Sequence, residues 1–159
     1  MGAEVAFDRI DRKILKILQA EGRLTNQALA ERVPLSPSAC LARVRRLEHA
    51  GVIQGYHARL DPLMLDGQVV LFAEVTLKAH GAEELARFDA AIAVMPQVVE
   101  ASHVSGAYDY LLKVVVEDLQ EWTRLGERLT SDEAGADRIV THVLLRKPKI
   151  FVGYPIRQG

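Results

Sequence analysis

The chain is poor in cysteine. Cys40 is the only one in 159 residues, which excludes an internal disulfide and suits a reducing compartment. No stretch approaches the roughly eighteen apolar residues that a membrane-spanning helix needs. The leading MGAEVAFDRIDRK carries charge from Glu4 onward and has no apolar core, so it does not read as a secretory signal. The expectation is a cytoplasmic protein. Metal-ligand spacing is also missing: the histidines at 49, 57, 80, 103 and 142 form no HxxxH pair and have no cysteine nearby at zinc-site spacing. With no nucleophilic triad, glycine-rich phosphate loop or paired catalytic carboxylates, no catalytic residue, metal or cofactor is assigned. What remains is an ordinary globular balance, 49% apolar and 26% charged, enough to fill a core.

The formal net charge of −1 hides an uneven distribution. The first sixty residues hold ten arginines and lysines against six aspartates and glutamates, a local net of +4, and the rest holds ten against fifteen. A basic smaller part joined to an acidic larger one points to a polyanionic partner for the first. In the basic part, Ile10, Ile14, Ile17 and Leu18 fall at helical spacing, with Asp8 as N-cap and Gly22 beyond the end. A second short helix starts at Thr25, carries Ala28, Leu29, Ala30 and Val33, and is stopped by Pro34.

The stretch LSPSACLARVRRLEHAG then reads as a third helix, with Ser36 as N-cap, Pro37 at the first turn and Gly51 closing it. On a helical wheel Cys40, Leu41, Val44 and Leu47 gather on the core side. Ser38, Ala39, Ala42, Arg43, Arg45, Arg46 and His49 gather on the solvent side. Two short helices behind a supporting one make a helix-turn-helix, whose second helix enters the DNA major groove with its N-terminal residues nearest the bases. The candidate DNA contacts are Ser36, Ser38, Ala39, Ala42, Arg43, Arg45 and Arg46, with double-stranded DNA as partner. The small residues permit close approach, and the arginines suit phosphates or guanine edges. VIQGYHARLDP, which follows, reads as one or two strands of a wing or linker. Cys40, on the core side, reads as a small buried hydrophobe.

From 68 onward the pattern is strand (68–77), helix, strand (98–104), the tight loop SGAYD (105–109), strand (110–116), a helix capped by Asp118, and strand (138–146), with a further short edge strand expected in KIFVGYPI. That order is a ferredoxin-like βαββαβ plait, which predicts an α+β protein: an N-terminal winged helix-turn-helix over 1–60 and the plait over 61–159. A plait has helices on one sheet face only, so the other face, with Val69 or Val70, Leu111 or Leu112 and Val143 or Leu144, would stay exposed unless the chain dimerises. Trp122 reads as core, or as interface if its helix packs on a partner.

DRIDRKILKILQAEGRLTNQALAERV, LSPSACLARVRRLEHAGVIQGY and HVSGAYDYLLKV, in that order, closely resemble the Lrp/AsnC (leucine-responsive/asparagine regulator) family of transcriptional regulators, over about residues 7–150. The resemblance implies a helix-turn-helix, a linker strand and a plait that binds a small effector, typically an amino acid. It also implies a homodimer that assembles into higher oligomers, often octamers, with effectors between dimers. Carried over by position, the effector site comprises His103, Gly106, Ala107, Tyr108 and Asp109, with Leu119 and His142 as further candidates. The chemistry agrees, since an ammonium wants a carboxylate such as Asp109 and a carboxylate wants loop amides. Asp109 also suits a turn, a role compatible with the first; His103 and His142 read first as plain strand residues, with a pocket role as the alternative. The segment LTSDEAGADR and the tail KPKIFVGYPI depart from the family pattern. Two rivals remain open: an enzyme resembling sirohaem decarboxylases, which share the architecture and would use His103 and His142, and an architectural DNA-binding protein without an effector.

Overall fold

Asp8 begins the first helix. Its carboxylate accepts the amides of Ile10 and Asp11 at 2.8 Å each, while the Asp11 carboxylate accepts the Asp8 amide at 3.1 Å. This reciprocal capping box satisfies otherwise orphaned N–H groups and sets the start of α1, Arg9–Ala20. In α2, Asn26–Arg32, the Thr25 hydroxyl accepts the Ala28 amide at 3.2 Å. In α3, Pro37–His49, the Ser36 hydroxyl accepts the Ala39 amide at 3.3 Å, and Pro37 occupies the first turn. Gly51 turns the chain out of α3 at φ +69°, a region that disfavours side chains bearing a β-carbon. Ile14, Leu29, Ala30, Val33, Cys40 and Leu47 form the core these helices enclose. Burial pushes the Cys40 thiol pKa up, as suits an inert packing residue.

This computed structural model describes residues 6–65 and 68–157; the outermost parts of the two expected domains, 1–5 and 158–159, lie outside that description. The chain divides into two compact units. One comprises the chain up to Arg59 together with the tail from Lys149, and the other is Leu60–Pro148. The second unit contains β1 (Val69–Leu77), α4 (Ala82–Ala93), β2 (Val98–His103), β3 (Tyr110–Val116), α5 (Leu119–Thr130) and β4 (Ala136–Val143). The strands form one antiparallel sheet in the order β2-β3-β1-β4. This is the plait expected from the sequence.

Strand alternation decides what each face carries. Leu71, Ala73, Val75 and Leu77 of β1 and Leu112, Val114 and Val116 of β3 pack with Phe88, Ile92, Leu125 and Leu129 from the two helices. Trp122 packs at the edge of that core, and its indole N–H donates to the Thr141 hydroxyl at 3.1 Å. The opposite face follows from the register: Val70, Phe72 and Glu74 lie beside Val115, Lys113 and Leu111 on one side, and Phe72 and Glu74 beside His142 and Val140 on the other. Neither α4 nor α5 packs on that face, although Val70 is buried there at 1% exposure.

Two sequence expectations differ from the structure. Residues 54–60 form no strand, and the tail carrying KIFVGYPI forms no edge strand. Alternating apolar residues favour an extended chain, but a strand also needs a partner's amides and carbonyls, and neither segment finds one among the described residues. The tail, grouped by sequence with the plait, instead lies with the helical unit. The Gln19 side chain accepts the Tyr154 amide at 2.5 Å and donates to the Tyr154 carbonyl at 3.2 Å, and Arg12 donates to the Arg157 carbonyl at 3.0 Å.

Candidate nucleic-acid interface and effector site

In α3, Cys40 and Leu47 are fully buried and set the inward side. Ser36, Ser38, Ala42 and Arg45 are exposed, while Ala39 is half-buried. The exposed positions 38, 42, 45 and 49 fall at i, i+4, i+7 and i+11, one continuous helix face. Leu41, assigned to the core side by the wheel, is 36% exposed and borders that face. His49 closes it, with its ring bonded to the Arg45 carbonyl at 2.7 Å.

The three arginines do not share one environment. Arg43 donates to Asp8 at 2.5 Å and to Asp11 at 2.9 Å, and Arg46 donates to Asp11 at 2.5 Å. Asp11 is 1% exposed, the one buried charged residue among those described. Burial is the strongest influence on its carboxyl and opposes ionisation. The hydrogen bonds from Arg46, the Asp8 amide and Arg43 together outweigh it and hold the pKa below the usual carboxylate value. The pKa of Asp8 is lowered chiefly by the Asp11 amide and then by Arg43. Arg45 has no carboxylate partner among the described residues. The sequence placed all three arginines on the solvent side; the structure ties two of them to α1 and leaves Arg45 outward. A wheel drawn for one helix cannot register Asp11, which stands 32 residues before Arg43 in the chain.

The second candidate site lies where the loop 104–109 enters β3. Gly106 has φ +135° with open space around it, so its glycine is required by backbone conformation and not by crowding. The Asp109 amide donates to the Val75 carbonyl at 2.9 Å, and its carboxylate accepts the Leu77 amide at 2.8 Å and lies 3.1 Å from the His80 ring. The carboxylate thus completes the ladder where β1 outlasts β3. Its side chain is 17% exposed. Among the described residues, the amides of 105–108 donate to no group of the chain, which leaves four N–H groups and a carboxylate in one loop.

His103 stacks on Tyr110, with ring centroids 4.9 Å apart and an interplanar angle of 26°, at the same sheet end. Gly106, Ala107, Tyr108, Asp109 and His103 therefore fall together, and His80 joins them unannounced by any sequence signal. Leu119 and His142 do not. Leu119 starts α5, beyond the far end of β3, which at about 3.3 Å per residue is ~20 Å away. His142 lies on the helix-free face, 3.2 Å from Glu74. Among the described residues no group of three or more His, Cys, Asp or Glu could hold a metal ion, and no helix is long and apolar enough to cross a membrane.

A three-helix unit with one outward-facing helix, joined to a four-stranded plait with a loop of free amides, defines a two-part protein with a helix-turn-helix and a separate small-molecule domain. A winged helix-turn-helix DNA-binding family matches residues 7–54, and the Lrp/AsnC ligand binding domain matches residues 70–152. The chain is 42% identical over 143 residues to the transcriptional regulatory protein DoeX of Halomonas elongata, covering 90% of each chain. It is 43% identical over 144 residues to the leucine-responsive regulatory protein of Escherichia coli K12, covering 90% of this chain and 87% of that one. Its fold superimposes on transcriptional regulator NMB0573 of Neisseria meningitidis, solved as a complex with L-Met, with a TM-score of 0.84, 31% identity and coverage of 94% and 97%. The chain belongs to the Lrp/AsnC family of transcriptional regulators.

Proposed function

We propose that this regulator binds a specific DNA sequence through α3 and that a small amino acid, bound at the loop 104–109, modulates its DNA affinity or its assembly. The observation that carries the DNA reading is the outward face of α3: Ser38 and Ala42 are small and exposed, and Arg45 beside them has no carboxylate partner among the described residues. Ser38 near the helix N-terminus is suited to a base edge, and Arg45 to a phosphate or guanine. Ser36, Ala39, Arg43 and Arg46 belong to the same helix as supporting positions. The effector reading rests on the free amides of 105–108 beside Asp109, an arrangement that suits a carboxylate and an ammonium respectively. The L-Met complex of the Neisseria relative supports an amino acid over other small molecules.

A homodimer that covers the helix-free sheet face, assembling further into larger oligomers, fits the same reading. A regulator rather than an enzyme is also favoured by the histidines. His103 stands with the core-facing Tyr110 and His142 on the opposite face, so one chain does not bring them to a single cofactor pocket. The test is an operator titration on duplexes selected from a random pool. Arg45→Ala should weaken binding and reduce its salt slope by about 0.9 if it meets a phosphate. Ser38→Ala should change the selected sequence. A parent-like titration for both variants would refute α3 as the reading helix.

A further inference from the structure

We infer that Asp8 and Asp11 are positioning residues for DNA recognition: their carboxylates fix the rotation of α3 and withhold the guanidiniums of Arg43 and Arg46 from indiscriminate contact with phosphates. This rests on α3 being the reading helix.

The geometry supplies both halves of the inference. Arg43 and Arg46 sit three residues apart on α3, so two anchors one turn apart meet the same end of α1. Such a pair restrains rolling of α3 about its axis in a way that one contact would not. At 100° per residue the anchored side lies roughly 100° from the middle of the face 38, 42, 45 and 49. The face that would meet DNA is thereby set by the anchors as well as by Cys40 and Leu47 on the inner side.

Two carboxylates also neutralise two guanidiniums at this point, which leaves Arg45 as the arginine of α3 with no carboxylate partner among the described residues. Because Asp11 is 1% exposed, an arginine that left it for a phosphate would leave a buried charge with one partner fewer. The arginines nonetheless have somewhere to go. Their side chains are 29% and 47% exposed, and they line an open cleft of about 580 Å³ with Phe7 and Ala42. Without the carboxylates they would become free surface cations, which bind any DNA sequence alike.

Asp8→Asn is the discriminating variant. Asn is as good an N-cap as Asp, so the helix start survives while one anchor loses its charge; Asp11→Asn removes the shared anchor. Both are to be titrated as full-length protein against two duplexes of equal length, one selected from a random pool by the parent and one of scrambled sequence. Either substitution leaves two guanidiniums sharing a single carboxylate, and the one uncompensated charge should steepen the salt slope on scrambled DNA by up to about 0.9, a roughly threefold greater loss of affinity between about 50 and about 200 mM salt. The ratio of selected to scrambled affinity should fall. Adding Arg43→Gln to Asp8→Asn should return the slope to the parent value, and Arg43→Lys alone should leave the slope as it is. A purely structural role would lower the melting temperature and leave the slope alone. If Asp11→Asn does not fold, Asp8→Asn decides. Parent-like slope and ratio for a folded Asp8→Asn overturn the inference and leave the DNA reading intact. A parent protein that selects no sequence overturns the DNA reading, and the inference with it.

Discussion

Asp109 shows how one side chain can hold two roles that a single substitution would confuse. Its carboxylate accepts the Leu77 amide, so truncation to alanine strands a backbone donor at the end of β1 and should cost about 1–3 kcal/mol whatever else the residue does. Asparagine keeps an acceptor oxygen there and removes only the charge. Asp109→Asn should therefore melt close to the parent, while losing the thermal shift produced by the responsive amino acid in a screen of all twenty. An Asn variant that still responds would remove Asp109 as the ammonium partner. Tyr110, the next residue, offers a direct spectroscopic check of the same sheet end. Burial, then the hydrogen bond it donates to Asp89 at 2.8 Å, push its phenol up to about 12. Its raised folded value means the neutral form is favoured. The contribution is intact below the ordinary tyrosine value of about 10 and is lost as pH rises from there to about 12. An ultraviolet titration of the folded protein should show a tyrosine ionising near 12, absent from Tyr110→Phe.

The pair formed by α1 and α3 is held by charge as well as by packing. Removing both Arg43 and Arg46 would leave Asp11 buried with its carboxylate uncompensated except by the Asp8 amide, and the double alanine variant should lose about 3 kcal/mol or more in a denaturant melt. Adding Asp11→Asn should recover part of that loss, because the buried charge goes too. Since Asp8 and Asp11 both have lowered folded pKa values, their stabilisation is present above the ordinary carboxylate value of about 4 and fades as pH falls through the depressed folded values. A parent protein that lost no more stability than Asp8→Asn on acidification would contradict this. These elements also show where sequence reading reaches and where it stops. The caps Asp8, Thr25, Ser36 and Asp118 were legible because a cap and the amide it binds lie within three residues. The plait was legible because each strand and helix carries its own period. The partition of the arginines was not, since it depends on Asp11 across a tertiary contact. Nor was the position of the tail, whose backbone is held by Gln19 and Arg12, 135 and 145 residues away. In the effector loop, glycine and aspartate announced a turn, but neither the Leu77 amide nor His80 could be inferred as the partners of Asp109.

For the whole molecule, the energetics of assembly turn on the sheet face opposite α4 and α5. Phe72, Leu111, Val115 and Val140 are only half-buried there within one chain, and Lys113, Glu74 and His142 stand among them. Covering such side chains is worth about 25 cal/mol per Å² of apolar surface removed from water. The neighbouring charges favour a partner that offers charges of opposite sign. A second copy related by a two-fold axis offers the same mixture of both signs, and would bring a second α3 to the DNA. Phe72→Asp places a charge in the middle of that face while leaving the helix-covered core untouched. It should reduce the mass measured by light scattering at micromolar concentration to that of one chain, with thermal unfolding still cooperative. Operator binding should weaken with it, because two linked reading helices bind two half-sites with an effective concentration that separate chains lack. Arg45→Ala should instead weaken operator binding at unchanged mass. If Phe72→Asp keeps the parent mass, assembly uses another surface. If it becomes a single chain and still binds the operator with parental affinity, one helix-turn-helix suffices and the coupling of assembly to DNA binding fails.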